Sequence, residues 1–451
     1  MKSRHQRSFR QVAISKKPLF LMLCTALISF NACATNDLVL QMETSLGQSY
    51  NPFRFYNGQT NGVQTISHQT DTVEGADLRA GIVIPVVSDD TKLILTGSLG
   101  KRRYLEDTTL DHLQGGVDAD FQWVASRLLS GRVNVGEGRH LFNYINGGLT
   151  EKDIEHDKNA GIEVNVKVTD SWSLMPKLFY SQLQYDLPVN QLYDNKQDGK
   201  QLGLRYFSPT GSSIEGGVRV STTNFTDRNP AQVAFYDLPF VGSKVKPEYD
   251  TQYKETEYYF DAEWRYSVKT TTSAHVGTVQ RHYSTYNNLD THLSNAILRT
   301  TYRYSPQLRL DLQLYDQPFP IVDPSILYVA SKGLRFDALW LYSDKLQFNT
   351  SAVIQNSSQV YIPGVPTNGG IAQTSRMKRI GFGASYEIER GFRLFADSFF
   401  EKDRGDVPSL NVGQSVIKLG IEYTFENLPG SAARMNLQRY QDYLSTSPAV
   451  R

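Results

Sequence analysis

Cysteine is all but missing from the 451 residues: there are two, Cys24 and Cys33, both close to the N-terminus. Tryptophan is scarce, with four residues. Past residue 30 no apolar run approaches the ~20 residues that a membrane helix needs, and mean hydropathy is −0.40. A disulfide framework and a helical membrane bundle are thereby excluded. Motifs for chemistry are missing too. There is no HExxH, G-x-S-x-G, P-loop or CxxC. The histidines His68, His112, His140, His156, His275, His282 and His292 are scattered without metal-ligand spacing. His275 and His282 stand seven apart, on opposite faces of a strand. No catalytic residue, metal or cofactor is expected, and the chain reads as a non-enzyme. The whole-chain charge of +1 carries no basic excess, so nucleic acid is not an expected partner.

The first 34 residues form a separate segment. Lys2, Arg4, Arg7, Arg10, Lys16 and Lys17 come without an acidic residue, an apolar stretch runs from Leu19 to Phe30, and Ala32-Cys33-Ala34 follows. This is the order of a secretory signal with cleavage after Ala34, implying Sec export. Acylation of Cys33 is the weaker reading, because Phe30-Asn31-Ala32 makes a poor lipobox. Cleavage removes both cysteines, and taking six basic residues from 47 leaves 41 against 46 acidic.

What is abundant is Tyr (26), Phe (22) and Gly (33), a mixture that favours strands and turns. From Leu38 to Phe425 the dominant period is two. Ile162-Glu163-Val164-Asn165-Val166-Lys167-Val168 and Leu308-Arg309-Leu310-Asp311-Leu312-Gln313-Leu314 each place apolar residues on one face and polar ones on the other. The pattern predicts 18 strands, near 38–48, 72–85, 91–104, 112–124, 126–137, 154–168, 172–185, 200–208, 213–225, 252–267, 272–284, 291–304, 308–317, 327–342, 346–357, 375–388, 392–404 and 412–426. Connections alternate short and long. Short ones include Thr169-Asp170, Ser305-Pro306-Gln307 and Glu389-Arg390-Gly391; long ones include 138–153, 186–199, 226–251 and 358–374.

A soluble sandwich has no reason to sort its loops by end. A transmembrane up-and-down antiparallel β-barrel does, with short periplasmic turns, long extracellular loops and an even strand count. The expected architecture is an all-β barrel of about 18 strands over 35–426, in the outer membrane of a Gram-negative bacterium. Aromatics near predicted strand ends, among them Tyr104, Tyr185, Tyr206, Trp264, Tyr302, Trp340, Tyr342, Tyr386, Tyr423 and Phe425, read as girdles against outer-membrane lipid. Residues 427–451 continue past the last strand as a periplasmic tail.

The polar half of the alternation should face the lumen. Its basic members are Arg102, Arg132, Lys167, Arg205, Arg219, Arg265, Arg299, Arg303, Arg309, Arg335, Arg379, Arg393 and Lys418. Its acidic members are Glu163, Glu215, Asp261, Glu263, Asp311, Asp337, Glu387 and Glu422. Either the two sets pair and fill the barrel, or the basic excess makes a conduit that favours anions.

Several stretches carry a family resemblance. Gln48-Ser49-Tyr50-Asn51-Pro52-Phe53-Arg54 resembles the "D-N-x-F-R" segment after the first strand of EpsL-type outer-membrane proteins, which are encoded with exopolysaccharide biosynthesis genes. Phe121-Gln122-Trp123 ahead of Ser126-Arg127-Leu128-Leu129-Ser130-Gly131 is similar to that family's "W-x-L…L-S-G" strand–turn–strand. Asn51-Pro52 departs from the family's usual aspartate and asparagine. The resemblance implies exopolysaccharide secretion, as export channel or accessory barrel, with a polysaccharide ligand and a periplasmic export partner. Two other readings stand beside it: a porin for small solutes, and a plugged barrel whose long loops act as receptor or adhesin.

Overall fold

The computed structural model describes residues 36–51, 70–88, 90–142, 152–188, 190–227, 250–319, 326–361, 374–406, 411–435 and 437. The signal segment with Ala34, the Pro52-Phe53-Arg54 part of the EpsL-like stretch, and the tail beyond Leu437 lie outside the described residues.

Eighteen strands follow one another: β1 Asp37–Tyr50, β2 Thr70–Ser88, β3 Thr91–Tyr104, β4 His112–Val124, β5 Leu129–Leu141, β6 Ile154–Lys167, β7 Trp172–Tyr185, β8 Asn195–Phe207 and β9 Ser213–Phe225; then β10 Gln252–Arg265, β11 Thr270–Tyr283, β12 Thr291–Ser305, β13 Leu308–Phe319, β14 Ile326–Leu341, β15 Leu346–Tyr361, β16 Thr374–Glu389, β17 Phe392–Gly405 and β18 Gly413–Glu426. Each pairs antiparallel with its sequence neighbour, and β1 pairs with β18 along Val39–Tyr50, so the sheet closes on itself. Closure leaves no unpaired sheet edge. A short helix, α1 Ser431–Arg434, follows β18.

The connections sort by end. Turns 89–90, 125–128, 168–171, 208–212, 266–269, 306–307, 342–345 and 390–391 lie at one rim, together with the start of β1 and the end of β18. The strand ends that border 51–69, 105–111, 142–153, 186–194, 226–251, 284–290, 320–325, 362–373 and 406–412 lie at the other. Gly211 and Gly391 take the positive φ values, 82° and 80°, that two of the tight turns require.

Following the Cα partners once round the 18 strands shifts the register by about 22 residues. With strands ~4.8 Å apart and a rise of ~3.3 Å per residue, the tilt is roughly 40° and the backbone radius roughly 18 Å. A tube of that width is too wide for its own side chains to fill throughout.

Most strand ranges lie within a few residues of the sequence expectation, β15 running four further to Tyr361, and two departures have a clear local cause. β5 begins at Leu129 and runs to Leu141, because Leu128, 61% exposed, belongs to the turn although it reads as apolar strand. β8 begins at Asn195, five residues early. Its first outward side chains, Lys196 and Asp198, stand above the apolar belt and break the alternation.

Candidate functional site: the concave face and its two rims

Directly opposed Cα partners share a face, so the pairing registers assign every strand residue to one side. The convex side carries Met42, Leu46, Leu99, Val117, Val135, Leu178, Leu202, Leu312, Leu314 and Leu419, all exposed. An apolar belt around a sheet without edges matches a lipid surround, the one medium in which both features are favourable. Beside the short turns the belt ends in ring clusters: Trp172–Tyr206 at 5.2 Å, Trp264–Tyr266 at 5.6 Å, and Trp340 with Tyr342 and Phe348 at 5.1 and 5.8 Å. The second girdle expected at the long-loop rim is not built from Tyr104 and Tyr185. Tyr185 is 7% exposed on the concave side, packed on Phe142 and Tyr193, and Tyr104 shares a face with concave Val73.

The concave side is polar. Contacts that skip a strand, such as Gln201 of β8 donating to the Tyr259 hydroxyl of β10 at 2.7 Å, form only where neighbouring side chains converge. By register all thirteen basic residues named above lie on this face, and most have carboxylate partners. Arg102 meets Asp77 at 3.0 Å, Arg132 Asp120 at 2.5 Å, Arg205 Glu215 at 2.6 Å and Arg219 Glu257 at 2.8 Å. Arg335 meets Asp337 at 2.7 Å, Arg379 Glu401 at 2.5 Å and Lys418 Glu43 at 2.5 Å. Arg265 and Arg309 each meet the acid two residues away, Glu263 and Asp311, at 2.8 Å, and Arg393 reaches Glu387 at 3.3 Å. Arg299 donates to Gln313 at 2.9 Å. Arg303 stands opposite Arg309, and Lys167 opposite Ser173.

The basic excess inferred from sequence does not hold. Glu43, Asp77, Asp118, Asp120, Glu155, Asp157, Glu255, Glu257, Asp397 and Glu401 share the concave face and were absent from the acidic set. The concave cations absent from the basic set are fewer: Arg79, Lys92, Lys177 and Arg281. The lining is a near-balanced network. What remains uneven is its distribution. Arg132, Lys167, Arg265, Arg303 and Arg309 are exposed and lie next to the short turns, whereas Arg335 is buried and Arg379 half-buried in the wall. His275 joins the mid-wall network, with Nδ1 2.7 Å from Asp261 and Nε2 3.2 Å from Glu257.

The long-loop rim is held by three similar clasps. Asp71, at the start of β2, accepts the backbone N–H groups of Leu105, Glu106 and Asp107 after β3. Asp153, before β6, accepts Leu187 N–H and Asn190 Nδ2 after β7. Asp250, before β10, accepts Thr285 and Tyr286 N–H and Ser284 Oγ after β11. In each clasp a second aspartate (Asp111, Asp194 or Asp290) accepts the N–H of the tyrosine that ends the strand, at 2.7, 2.9 and 2.8 Å. Burial pushes the Asp194 carboxyl up to about 6, against the opposing pull of Tyr185 N–H. Burial acts on Asp250 too, but there the Thr285, Ser284, Gln252 and Tyr286 donors together outweigh it and hold the carboxyl below its usual range.

At the opposite rim the chain does not project away after β18. The Glu426 carboxylate accepts Gly430 and Ala432 N–H and so caps α1. Ala432 and Met435, both buried, pack with Leu437 against Val39, Val83 and Ile94 of the concave wall. Gly81 makes the space: a Cβ there would meet Met435 Sδ at 2.6 Å and Leu437 Cδ1 at 2.7 Å. The segment read as a free periplasmic tail thus starts by lining the short-turn mouth. Deleting residues after Asn427 should widen that mouth and raise single-channel conductance. Gly81→Leu should do the same by evicting Met435, and unchanged conductance in both variants would mean that the segment leaves the pore in the membrane.

No protein-family model matches the sequence, and no curated protein matches it. Solved structures do. OccAB3 of Acinetobacter baumannii is 11% identical, over 87% of this chain and 100% of that one, with a TM-score of 0.44. OccK2 (OpdF) of Pseudomonas aeruginosa in complex with glucuronate is 11% identical, over 87% and 99%, at 0.45. A mutant of the ferric enterobactin receptor of Pseudomonas aeruginosa is 8% identical, over 86% and 80%, at 0.41. With TM-scores below 0.5, none of these likenesses carries an argument about what this chain does.

Proposed function

We propose that the chain is an outer-membrane channel for small hydrophilic solutes. The observation that carries this is the pairing of a lipid-compatible convex face with a polar, ion-paired concave face on a closed barrel of 18 strands. At a backbone radius of roughly 18 Å, wall side chains leave an aqueous path unless loops occupy it. Paired charges suit such a wall. They fix the side chains against one another, and their balance avoids trapping a solute of either sign. The exposed arginines by the short turns add a weak preference for anionic groups at that mouth alone.

Export of an exopolysaccharide, implied by the EpsL-type resemblance, stands without a matching family model, and the wall offers no observation that favours a polymer over a small solute. The purified protein in planar bilayers should open discrete ion-conducting steps of weak selectivity. Liposomes containing it should swell in small sugars and stop swelling above a mass cut-off. Silence in bilayers, retained when the long connections are shortened, would overturn the channel reading and leave a receptor or structural barrel.

A further inference from the structure

The convex rim on the long-loop side is studded with charge, and several cations there meet carboxylates. Arg103 lies 3.4 Å from Glu74, Lys158 3.4 Å from Glu137, and Lys332 3.0 Å from Asp316. The β16–β17 pair differs in setting cation directly against cation. Its register sets Arg376 directly opposite Arg404, and Lys378 directly opposite Lys402. All four are exposed on the convex face, and among the described residues no carboxylate lies within salt-bridge distance of any of them. Asp406, one rung further out, is engaged by the Thr374 N–H and Oγ1.

Like charges directly opposed across a strand pair destabilise it. Two such rungs in succession therefore call for a counter-anion, supplied by whatever surrounds the barrel at that height. Immediately below the lysines the surface changes character. Ile380 and Phe400 stand on the membrane side of them, and with Tyr50 and the small Gly413 and Ser415 they form a groove of about 430 Å³ that also takes in Lys378 and Lys402. Cations above an apolar trough match an amphiphile with phosphate at its head and acyl chains below it. A free anion would use the cations and leave the trough idle.

We propose that this face binds a phosphorylated, acylated lipid of the outer leaflet, its phosphate held by Lys378, Lys402, Arg376 and Arg404 and an acyl chain lying in the groove. Guanidinium and ammonium groups make the stronger, charge-assisted hydrogen bonds to phosphate oxygens. The site rests on the outer-membrane reading. Fractionation tests that reading separately, because lipid binding by the purified barrel does not depend on where the cell places it.

The test is a lipid titration of the full-length protein in dodecylmaltoside, read by native mass spectrometry, with bisphosphorylated lipid A, dephosphorylated lipid A and inorganic phosphate as probes. The folded barrel should retain one bisphosphorylated lipid A. Removing the lipid's phosphates, or introducing K378Q/K402Q, should weaken binding about tenfold or more, the scale of losing one or two charge-assisted contacts. Gly413→Phe keeps every cation but fills the trough, since a Cβ there has open space with Glu401 O as its nearest contact at 3.9 Å. It should weaken binding as well. Heat-modifiable mobility on gels reports folding, and R376Q/R404Q serves if the lysine variant fails to fold. Equal affinity for the two lipid A forms, or unchanged affinity in folded charge variants, would overturn the proposal. So would displacement of the lipid by millimolar inorganic phosphate, which would make this a free-anion site.

Discussion

Glu401→Leu should lower the unfolding free energy of the barrel by about 3–5 kcal/mol, the usual cost of stranding one member of a buried ion pair. Glu401 and Arg379 are the most enclosed pair in the wall, with side chains 2% and 9% exposed. The guanidinium also lies over the Phe399 ring, 5.1 Å from its centroid, which leaves it little water to turn to. The double variant Arg379→Met, Glu401→Leu should recover most of the loss, because neither charge then remains to be desolvated. Urea titration of the protein refolded into lipid vesicles measures both. A single-variant loss below about 1 kcal/mol would mean that channel water reaches Arg379, and that the wall there is wetter than its packing suggests.

The convex face should be equally unforgiving, for the opposite reason. Leu312 is 39% exposed, midway along β13, and its partners Thr300 and Phe336 share its convex side. Leu312→Arg places a cation near the bilayer midplane, at a cost of about 2–4 kcal/mol. Ser273→Arg makes the fitting control. Ser273 is exposed on the concave face, directly opposite Glu263 on one side and Arg299 on the other, so the new cation meets water, a carboxylate and a like charge whose effects oppose each other. That variant should change stability by less than about 1 kcal/mol. Similar losses in the two variants would place Leu312 away from lipid, against the face assignment of the whole barrel.

The strands were legible in the sequence because a wall between lipid and water writes itself as alternation. Legibility fails where that contrast fails. Above the belt both faces of β8 meet polar surroundings, and Asn195-Lys196-Gln197-Asp198-Gly199 carries no period. In β17 the run Phe395-Ala396-Asp397-Ser398-Phe399-Phe400-Glu401 puts aromatics on both faces, Phe395 and Phe399 concave and Phe400 convex. The phase was therefore unreadable there, and Asp397 and Glu401 escaped the acidic set. That kind of omission is why a balanced lining looked cationic. The rim clasps were beyond reach for another reason: each joins residues 34 to 37 apart, and nothing local in the chain announces that two aspartates will meet the same turn. The inward fold of the first tail residues was equally hidden, since Met435 and Leu437 are too few to form a pattern.

The clasps recur at a regular interval, after β3, β7 and β11, and between them stand the connections 142–153 and 226–251. Each clasp ties the start of a strand, where a long connection rejoins the wall, to the segment after the next strand, so the backbone at that point is fixed independently of what the connection contains. Insertions, deletions and wholesale exchange of sequence are then tolerated within those connections, because the ends they must join do not move. A protein built this way can change the sequence of those connections while its wall stays the same. For the same reason, a foreign sequence inserted within 226–251 should leave the barrel folded, as heat-modifiable mobility on gels would show.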